Sequence, residues 1–166
     1  MNKFLFYKLA DKIGNEDSDD KKQFEFLIFK PRINSLRKHN SNILIYIFWY
    51  FFTRGKYNIF YVMNDAGKII HYSHILPKFF KFPFMSKKDL HIGPSWTDPA
   101  YRGKGIYPFV LKKTIEVWHN DITNLWMMTT EDNYPSQRGI AKAGFSIVGR
   151  GMKTEFLGIY KIENYL

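Results

Sequence analysis

A short glycine turn, Tyr101-Arg102-Gly103-Lys104-Gly105-Ile106-Tyr107, constrains this chain more than any other feature. An apolar run with strand character, Leu90 to Thr97, precedes it, and a helical apolar pattern running to about His119 follows. Strand, glycine turn and helix in that order make a phosphate-holding geometry. Glycines let the backbone turn tightly and come close to a ligand. Free N–H groups at the helix start then point at the anion, with the positive end of the helix dipole behind them. Arg102 and Lys104 add charge beside those amides. The turn predicts a ligand carrying a phosphate or pyrophosphate. Spacing excludes two well-known phosphate loops. A P-loop needs Gly-Lys-Ser/Thr, but Gly103-Lys104 is followed by Gly105, with no hydroxyl for a magnesium ion. A dinucleotide fingerprint needs a third glycine where this chain has Pro108.

The length, 166 residues, suits one domain with one sizeable core. With no cysteine, a disulfide framework, a cysteine metal site and a cysteine nucleophile are all excluded, and an intracellular, cytoplasmic location is the default reading. The net charge of +10 attracts anions in general: nucleic acid, acidic lipid headgroups or polyphosphate cofactors. No zinc-finger spacing, aromatic strand pair or basic recognition helix accompanies it, so nucleic acid is not an expected partner. Met1 to Ala10 is too short an apolar run for a signal-peptide core, and Lys8 interrupts it. No run reaches the roughly 18 apolar residues that span a bilayer.

Coarse periodicity orders the rest. Asn15 to Asp20 is an acidic loop, followed by Lys21 and Lys22, and Phe24 to Phe29 is a strand. Ile43 to Phe52 is continuously apolar and aromatic, with Arg37, Lys38 and His39 before it and Arg54 and Lys56 after. Apolarity alone does not separate a strand from a buried helix there; length favours a helix. That helix either belongs to the core or docks at a membrane surface, with aromatic and basic residues at headgroup depth. Lys56 to Met63 and Lys68 to Leu76 form a hairpin around Asn64-Asp65-Ala66-Gly67. Pro77 to Pro83 is a loop. Gly93-Pro94 interrupts the strand before the glycine turn, so that strand should bulge or splay from a neighbour. Pro108 fits the first turn of the following helix. Asn124 to Thr130 is a strand, Asn133 caps a short helix, and Gly144 ends it. Phe145 to Gly149 and Thr154 to Ile162 close the chain as strands. The order is mixed α/β in one layer-packed domain, residues 1–166, with residues 56–162 as its core.

Two segments in this frame resemble the GNAT superfamily of acyl-CoA-dependent N-acyltransferases. Arg102-Gly103-Lys104-Gly105 is close to that family's Arg/Gln-x-x-Gly-x-Gly/Ala pyrophosphate loop. Asn133-Tyr134-Pro135-Ser136 through Lys142-Ala143-Gly144-Phe145 looks like its Asn-x-x-Ser…Lys-x-Gly-Phe segment. A helix and a strand separate the two, as the family requires. The likeness covers residues 56–162 well and the first 55 poorly. It implies a central, mostly antiparallel mixed twisted sheet with flanking helices and a splayed strand at the CoA site. Gly105-Ile106-Tyr107 resembles members acting in surface-polysaccharide pathways. The chain departs from the pattern at Tyr107, where the family has Gly or Ala. It departs again at Ile140, which aligns with the family's frequent general-acid tyrosine.

The resemblance implies transfer of an acetyl group from acetyl-CoA to a small-molecule amine, with an amino sugar attached to a nucleotide or lipid as the first guess. A protein amine and a non-catalytic CoA-binding module are the alternatives. No metal is implied. Arg102, Gly103, Lys104, Gly105, Ile106 and Tyr107 would cradle the CoA pyrophosphate, Ser95, Trp96 and Thr97 would meet the pantetheine arm and thioester, and Asn133 and Ser136 would reach CoA. Direct attack needs a base. His71, sharing a strand face with Ser73, is the first choice, Glu131 another, and Ser95 lies beside the reacting thioester. His71 and His74 are three residues apart and so face opposite sides. Tyr134 or another phenol would have to replace the missing acid. Phe79, Phe80, Phe82 and Phe84 could roof the acceptor. A monomer or homodimer, near the inner face of a membrane or free in the cytoplasm, fits this reading.

Overall fold

The computed structural model of the protein describes residues 3–9, 24–30, 43–118, 120 and 122–166. The acidic loop from Asn15, the basic residues Arg37 to His39 and the helix end expected at His119 lie outside them.

Eight strands form one mixed sheet in the order β2-β3-β4-β5-β6-β1-β7-β8. They are β1 Lys3–Leu9, β2 Phe26–Phe29, β3 Asn58–Met63, β4 Ile69–Pro77, β5 Leu90–Thr97, β6 Leu125–Thr130, β7 Phe145–Lys153 and β8 Tyr160–Tyr165. Among the described residues three α-helices accompany them: α1 Ile43–Thr53, α2 Ile106–Trp118 and α3 Tyr134–Lys142. Every pairing is antiparallel except β5 with β6.

The sheet buries both faces. On one, Leu5, Tyr7, Ile75, Ile92, Leu125, Met127 and Phe145 meet Leu111 of α2 and Ile140 of α3. On the other, Tyr57, Ile59, Leu76 and Trp126 meet Phe79, Phe82 and Met85 of the loop after β4, with Trp49 and Tyr50 of α1 packed against them. The alternation of side chains along each strand sorts residues between these faces. Residues 43–53 form the helix that length favoured. Its Trp49 and Tyr50 join the core, while Leu44, Ile47 and Phe51 are exposed. Among the described residues no helix is long and apolar enough to cross a membrane.

Three details differ from the sequence reading. Lys3–Leu9 is an interior strand, with β6 on one side and β7 on the other. β7 runs through Gly149 to Lys153, and β8 begins only at Tyr160. The glycines do not end β7; they let β8 close on it. A Cβ on Gly149 would stand 2.8 Å from the Asn164 carbonyl oxygen, and one on Gly151 would overlap that of Lys161. The ladder shifts register between Arg150 and Gly151.

Two polar nodes fix the loops around β5. The buried Asp89 carboxylate accepts from Trp126 Nε1 at 2.8 Å, Asn124 Nδ2 at 2.9 Å and the Ser86 amide at 2.8 Å. A buried charge is tolerable when its hydrogen-bond capacity is used in this way. At the other end of β5, Asp98 accepts from the Ala100 amide and from Lys68 Nζ at 2.9 Å. Asn64 Nδ2 donates to the Tyr101 hydroxyl at 3.1 Å. The β3–β4 hairpin thus braces the turn that leads into α2.

Candidate active site

β5 and β6 share only two register pairs, Leu90 with Leu125 and His91 with Trp126. Beyond them the strands part at Gly93-Pro94, which is a cis peptide. The interruption of the apolar run by glycine and proline anticipates this gap. On the side away from it, β5 stays paired with β4, with a register shift between Ser73 and Ile75. A cavity of about 890 Å³ runs through the opening, lined by residues of both sheet faces.

On the helix side the cavity meets the glycine turn. Gly103 and Gly105 have φ of +74° and +84°, and a Cβ on either would meet nothing within 4 Å. The amides of Gly103, Lys104, Gly105, Ile106 and Tyr107 have no acceptor among the described residues. Such a nest of unpaired N–H groups at a helix start suits a phosphate or pyrophosphate, and the open space at both glycines leaves room for one. Arg102 stands beside it, its Nε donating to the Thr97 carbonyl at 3.1 Å. Lys104 lies over the Tyr101 ring, 4.6 Å from its centroid, and does not line the cavity.

Ser95, Trp96, Thr97, Arg102, Gly103, Gly105, Ile106, Tyr107, Asn133 and Ser136 all border this one space. Asn133 Oδ1 accepts from the Ser136 amide at 3.2 Å, which caps α3. Trp96 stacks on Tyr72, with centroids 5.7 Å apart. The departure at Tyr107 has its counterpart at Gly139 of α3. A Cβ there would stand 2.7 Å from Tyr107 Cδ1, so the glycine makes room for the ring. Burial holds the Tyr107 phenol well above its ordinary value.

His71 and Glu131 do not line the cavity. His71 is fully buried beneath it: Nδ1 is 2.8 Å from Thr97 Oγ1, Nε2 is 2.9 Å from Ser73 Oγ, and Ser73 Oγ is 2.7 Å from Ser95 Oγ. One imidazole is thus joined through hydroxyls to two cavity residues. Desolvation lowers its pKa to about 4, so it is neutral near pH 7. His74 lies on the opposite face, as alternation requires, beside Trp49 and 3.2 Å from the Pro94 carbonyl oxygen. Glu131 faces Arg150 across 3.9 Å, and its carbonyl accepts from Gln137 Nε2. Ile140 is fully buried in the helix-side core. Tyr134 is exposed and does not line the cavity; the phenols that do are Tyr101, Tyr107 and Tyr160.

The far side of the cavity carries residues that the sequence reading gave no role or a lesser one. Phe79 and Phe82 line it, with Trp49, Phe4, Met128, Tyr160, Lys81 and Lys153. Phe80 is exposed, and Phe84 packs between Phe6 and Trp126. His91 also lines the cavity, 4.5 Å from the Phe82 ring. It is 6% exposed, and among the described residues neither ring nitrogen has a partner in hydrogen-bond geometry. Burial drives its pKa down to about 3, the nearby Gly93 carbonyl pulling weakly the other way. Among the described residues five cations and no carboxylate line this space: Arg102, Arg138 and Lys142 toward the helices, Lys81 and Lys153 toward the aromatic end. Among the described residues no cluster of three or more His, Asp or Glu could hold a metal ion.

Comparison with known proteins agrees with this fold. Residues 24–145 match the family model described as acetyltransferase (GNAT) family. No curated protein matches the chain. Similar solved structures include an acetyltransferase of the GNAT family from Colwellia psychrerythraea, at TM-score 0.63 and 16% identity, covering 90% of this chain and 54% of that one. An aminoglycoside 6'-N-acetyltransferase from Acinetobacter baumannii superposes at TM-score 0.56 and 13% identity, covering 79% of this chain and 97% of its own. Glucosamine-6-phosphate N-acetyltransferase from Arabidopsis thaliana gives 0.55 and 17%, with 80% and 99% covered. At these identities the likeness is one of fold. The chain spans about half the length of the Colwellia structure.

Proposed function

The chain belongs to the GNAT acetyltransferase family, and we propose that it moves an acetyl group from acetyl-CoA to a primary amine by direct attack, the acceptor being a small molecule such as an amino sugar. The observation that carries this reading is the run of unpaired amides from Gly103 to Tyr107 at the mouth of a cavity that passes through the sheet. In it, the turn holds the pyrophosphate of CoA, and Arg102 adds charge. Among the described residues the β6-facing edge of β5 has no ladder partner beyond His91, so backbone groups there, other than the Thr97 carbonyl held by Arg102 and the Pro94 carbonyl beside His74, are open to hold the pantetheine arm and polarise the thioester carbonyl.

The reaction forms the C–N bond and breaks the C–S bond. The amine gives up a proton and the departing thiolate takes one. Ser95 receives the amine proton and passes its own to Ser73, which passes its own to Nε2 of His71. The Nδ1–H of His71 meanwhile donates to Thr97. His71 is a carrier in this route and not a store, because its low pKa makes a lasting charge there costly: the proton returns through Ser73 and Ser95 to the departing thiolate, which restores the starting hydrogen bonds. Positioning supplies much of the remaining rate. A thiol-release assay with acetyl-CoA against amino-sugar phosphates, amino-sugar nucleotides, free amines and peptides tests the reading. Turnover with a small amine is expected, and His71→Ala should lower kcat about 10²- to 10⁴-fold. Turnover with peptides alone would replace the small-molecule acceptor with a protein.

The buried Ile140 favours one second reading, a CoA-binding module without catalysis, since it occupies the position of the family's acid. Stabilisation by CoA with no thiol release from any amine would select it.

A further inference from the structure

The aromatic end of the cavity is built from four separated segments that meet around two cations. Phe82 touches His91 on one side, at 4.5 Å, and Tyr160 on the other, with centroids 5.7 Å apart. Lys153 Nζ lies over the Tyr160 ring at 5.6 Å. The Tyr160 amide donates to the Lys81 carbonyl at 2.9 Å. Lys81 Nζ stands 5.4 Å from the Phe48 centroid and 5.9 Å from that of Phe80. Both ammonium nitrogens come within 3.8 Å of the point where a Cβ on Gly158 would stand. Two like charges therefore converge on one spot.

Among the described residues neither lysine has an acidic partner and no carboxylate lines the cavity. Burial and then the charge of Lys153 lower the pKa of Lys81, the signature of a cation held where it lacks a counter-charge. His91 adds an independent sign of a missing occupant. Its ring is nine-tenths buried and lines the same cavity, and among the described residues the nearby Gly93 carbonyl is not placed to hydrogen-bond either nitrogen. A buried polar atom without a partner is costly and is normally satisfied by something bound. The glycine turn sits at the helix end of the cavity, so the CoA phosphates do not answer for the lysines.

We propose that the aromatic end of the cavity is the acceptor subsite, and that the acceptor is an amine bearing an anionic group, a phosphate or a carboxylate, which sits between Lys81 and Lys153. The aromatic rings of Phe79, Phe82 and Tyr160 enclose its body, and the anion sets its direction relative to the thioester. This rests on the acetyltransferase reading and narrows its substrate.

The test compares matched amines. Thiol release from acetyl-CoA is measured with glucosamine against glucosamine 6-phosphate, ethanolamine against phosphoethanolamine, and glycinamide against glycine. In parallel, binding of the same compounds to the CoA-saturated protein is followed by calorimetry, so the turn is already filled. The expected result is an anionic member preferred by about tenfold or more. The phosphate and carboxylate pairs tell which anion is used. Lys81→Met/Lys153→Met should abolish the preference, and Lys81→Arg/Lys153→Arg should restore most of it. CoA-dependent thermal stabilisation of each variant confirms that it is folded. Equal use and equal binding of charged and neutral amines, or a preference that survives loss of both lysines, overturns the inference while leaving acetyl transfer intact. If no amine is acetylated, the functional reading falls, and the calorimetric comparison alone decides for or against the anion subsite.

Discussion

Replacing Gly105 by alanine separates two roles of the glycine turn. Its φ of +84° lies where L-residues are strained, and so does the +71° of Gly67 in the β3–β4 hairpin. A Cβ at either position meets nothing within 4 Å. Steric clash is therefore absent from both, and the cost to folding is the left-handed backbone itself, about 1–2 kcal/mol. For a chain of this size that lowers Tm by roughly 2–4 °C per kcal/mol. Gly67→Ala and Gly105→Ala should then be destabilised alike in urea or heat. They should differ in CoA binding. At Gly105 the added methyl enters open space beside the unpaired amides, where the proposed pyrophosphate would sit. Losing one hydrogen bond to a charged acceptor costs about 1.5–3 kcal/mol, which is roughly a tenfold to 150-fold weaker Kd. Calorimetric titration of CoA into wild type and both variants measures this. An unchanged Kd in Gly105→Ala, or an equal loss in Gly67→Ala, would refute the assignment of the turn as the phosphate site.

Two further outcomes follow from the interior. Asp89→Ala leaves Trp126 Nε1, Asn124 Nδ2 and the Ser86 amide without their acceptor. It should cost about 3–5 kcal/mol in urea unfolding, with Asp89→Asn recovering part of it; a loss under about 1 kcal/mol would contradict the node. His71 and His91 bind protons less readily when folded, with pKa values lowered to about 4 and about 3. Above the unfolded value of about 6.5 both states are neutral and stability is complete. As pH falls below it, the unfolded chain takes up protons that the folded chain refuses, and stability drops until the folded values are reached. His71 alone should remove about 3 kcal/mol by pH 4. Urea midpoints between pH 7.5 and 4.5 should fall, and less steeply in His91→Leu; identical slopes for wild type and variant would contradict the burial of that imidazole.

The sequence made the helix side of the site readable and, at the other end, little beyond the aromatic loop with Phe79 and Phe82. The glycine turn, the Gly93-Pro94 interruption and the Asn133 cap are local signals, each with its meaning inside a few residues. The sharing of one strand face by His71 and Ser73 follows from period-two alternation alone. By contrast, Lys81, His91, Lys153 and Tyr160 come from four segments, and only the folded sheet brings them to one cavity. Local pattern also misled at Gly149, where a glycine that permits close strand approach reads as a strand end. β1 escaped notice because Lys3 and Lys8 bracket a short apolar stretch whose partners are more than a hundred residues away.

The position of that strand bears on how the molecule is made. Leu5 and Phe6 take their neighbours from residues 128–129 and 149–150. A ribosome thus makes β1 more than a hundred residues before either flanking strand, and its apolar residues wait for both. Contacts so distant along the chain slow folding, because the closing of the intervening loop is costly before any pairing compensates it. The half of the sheet from β2 to β5 can assemble from near neighbours. The rest is completed by β1 between β6 and β7, so segments more than a hundred residues apart are joined in the interior of the sheet.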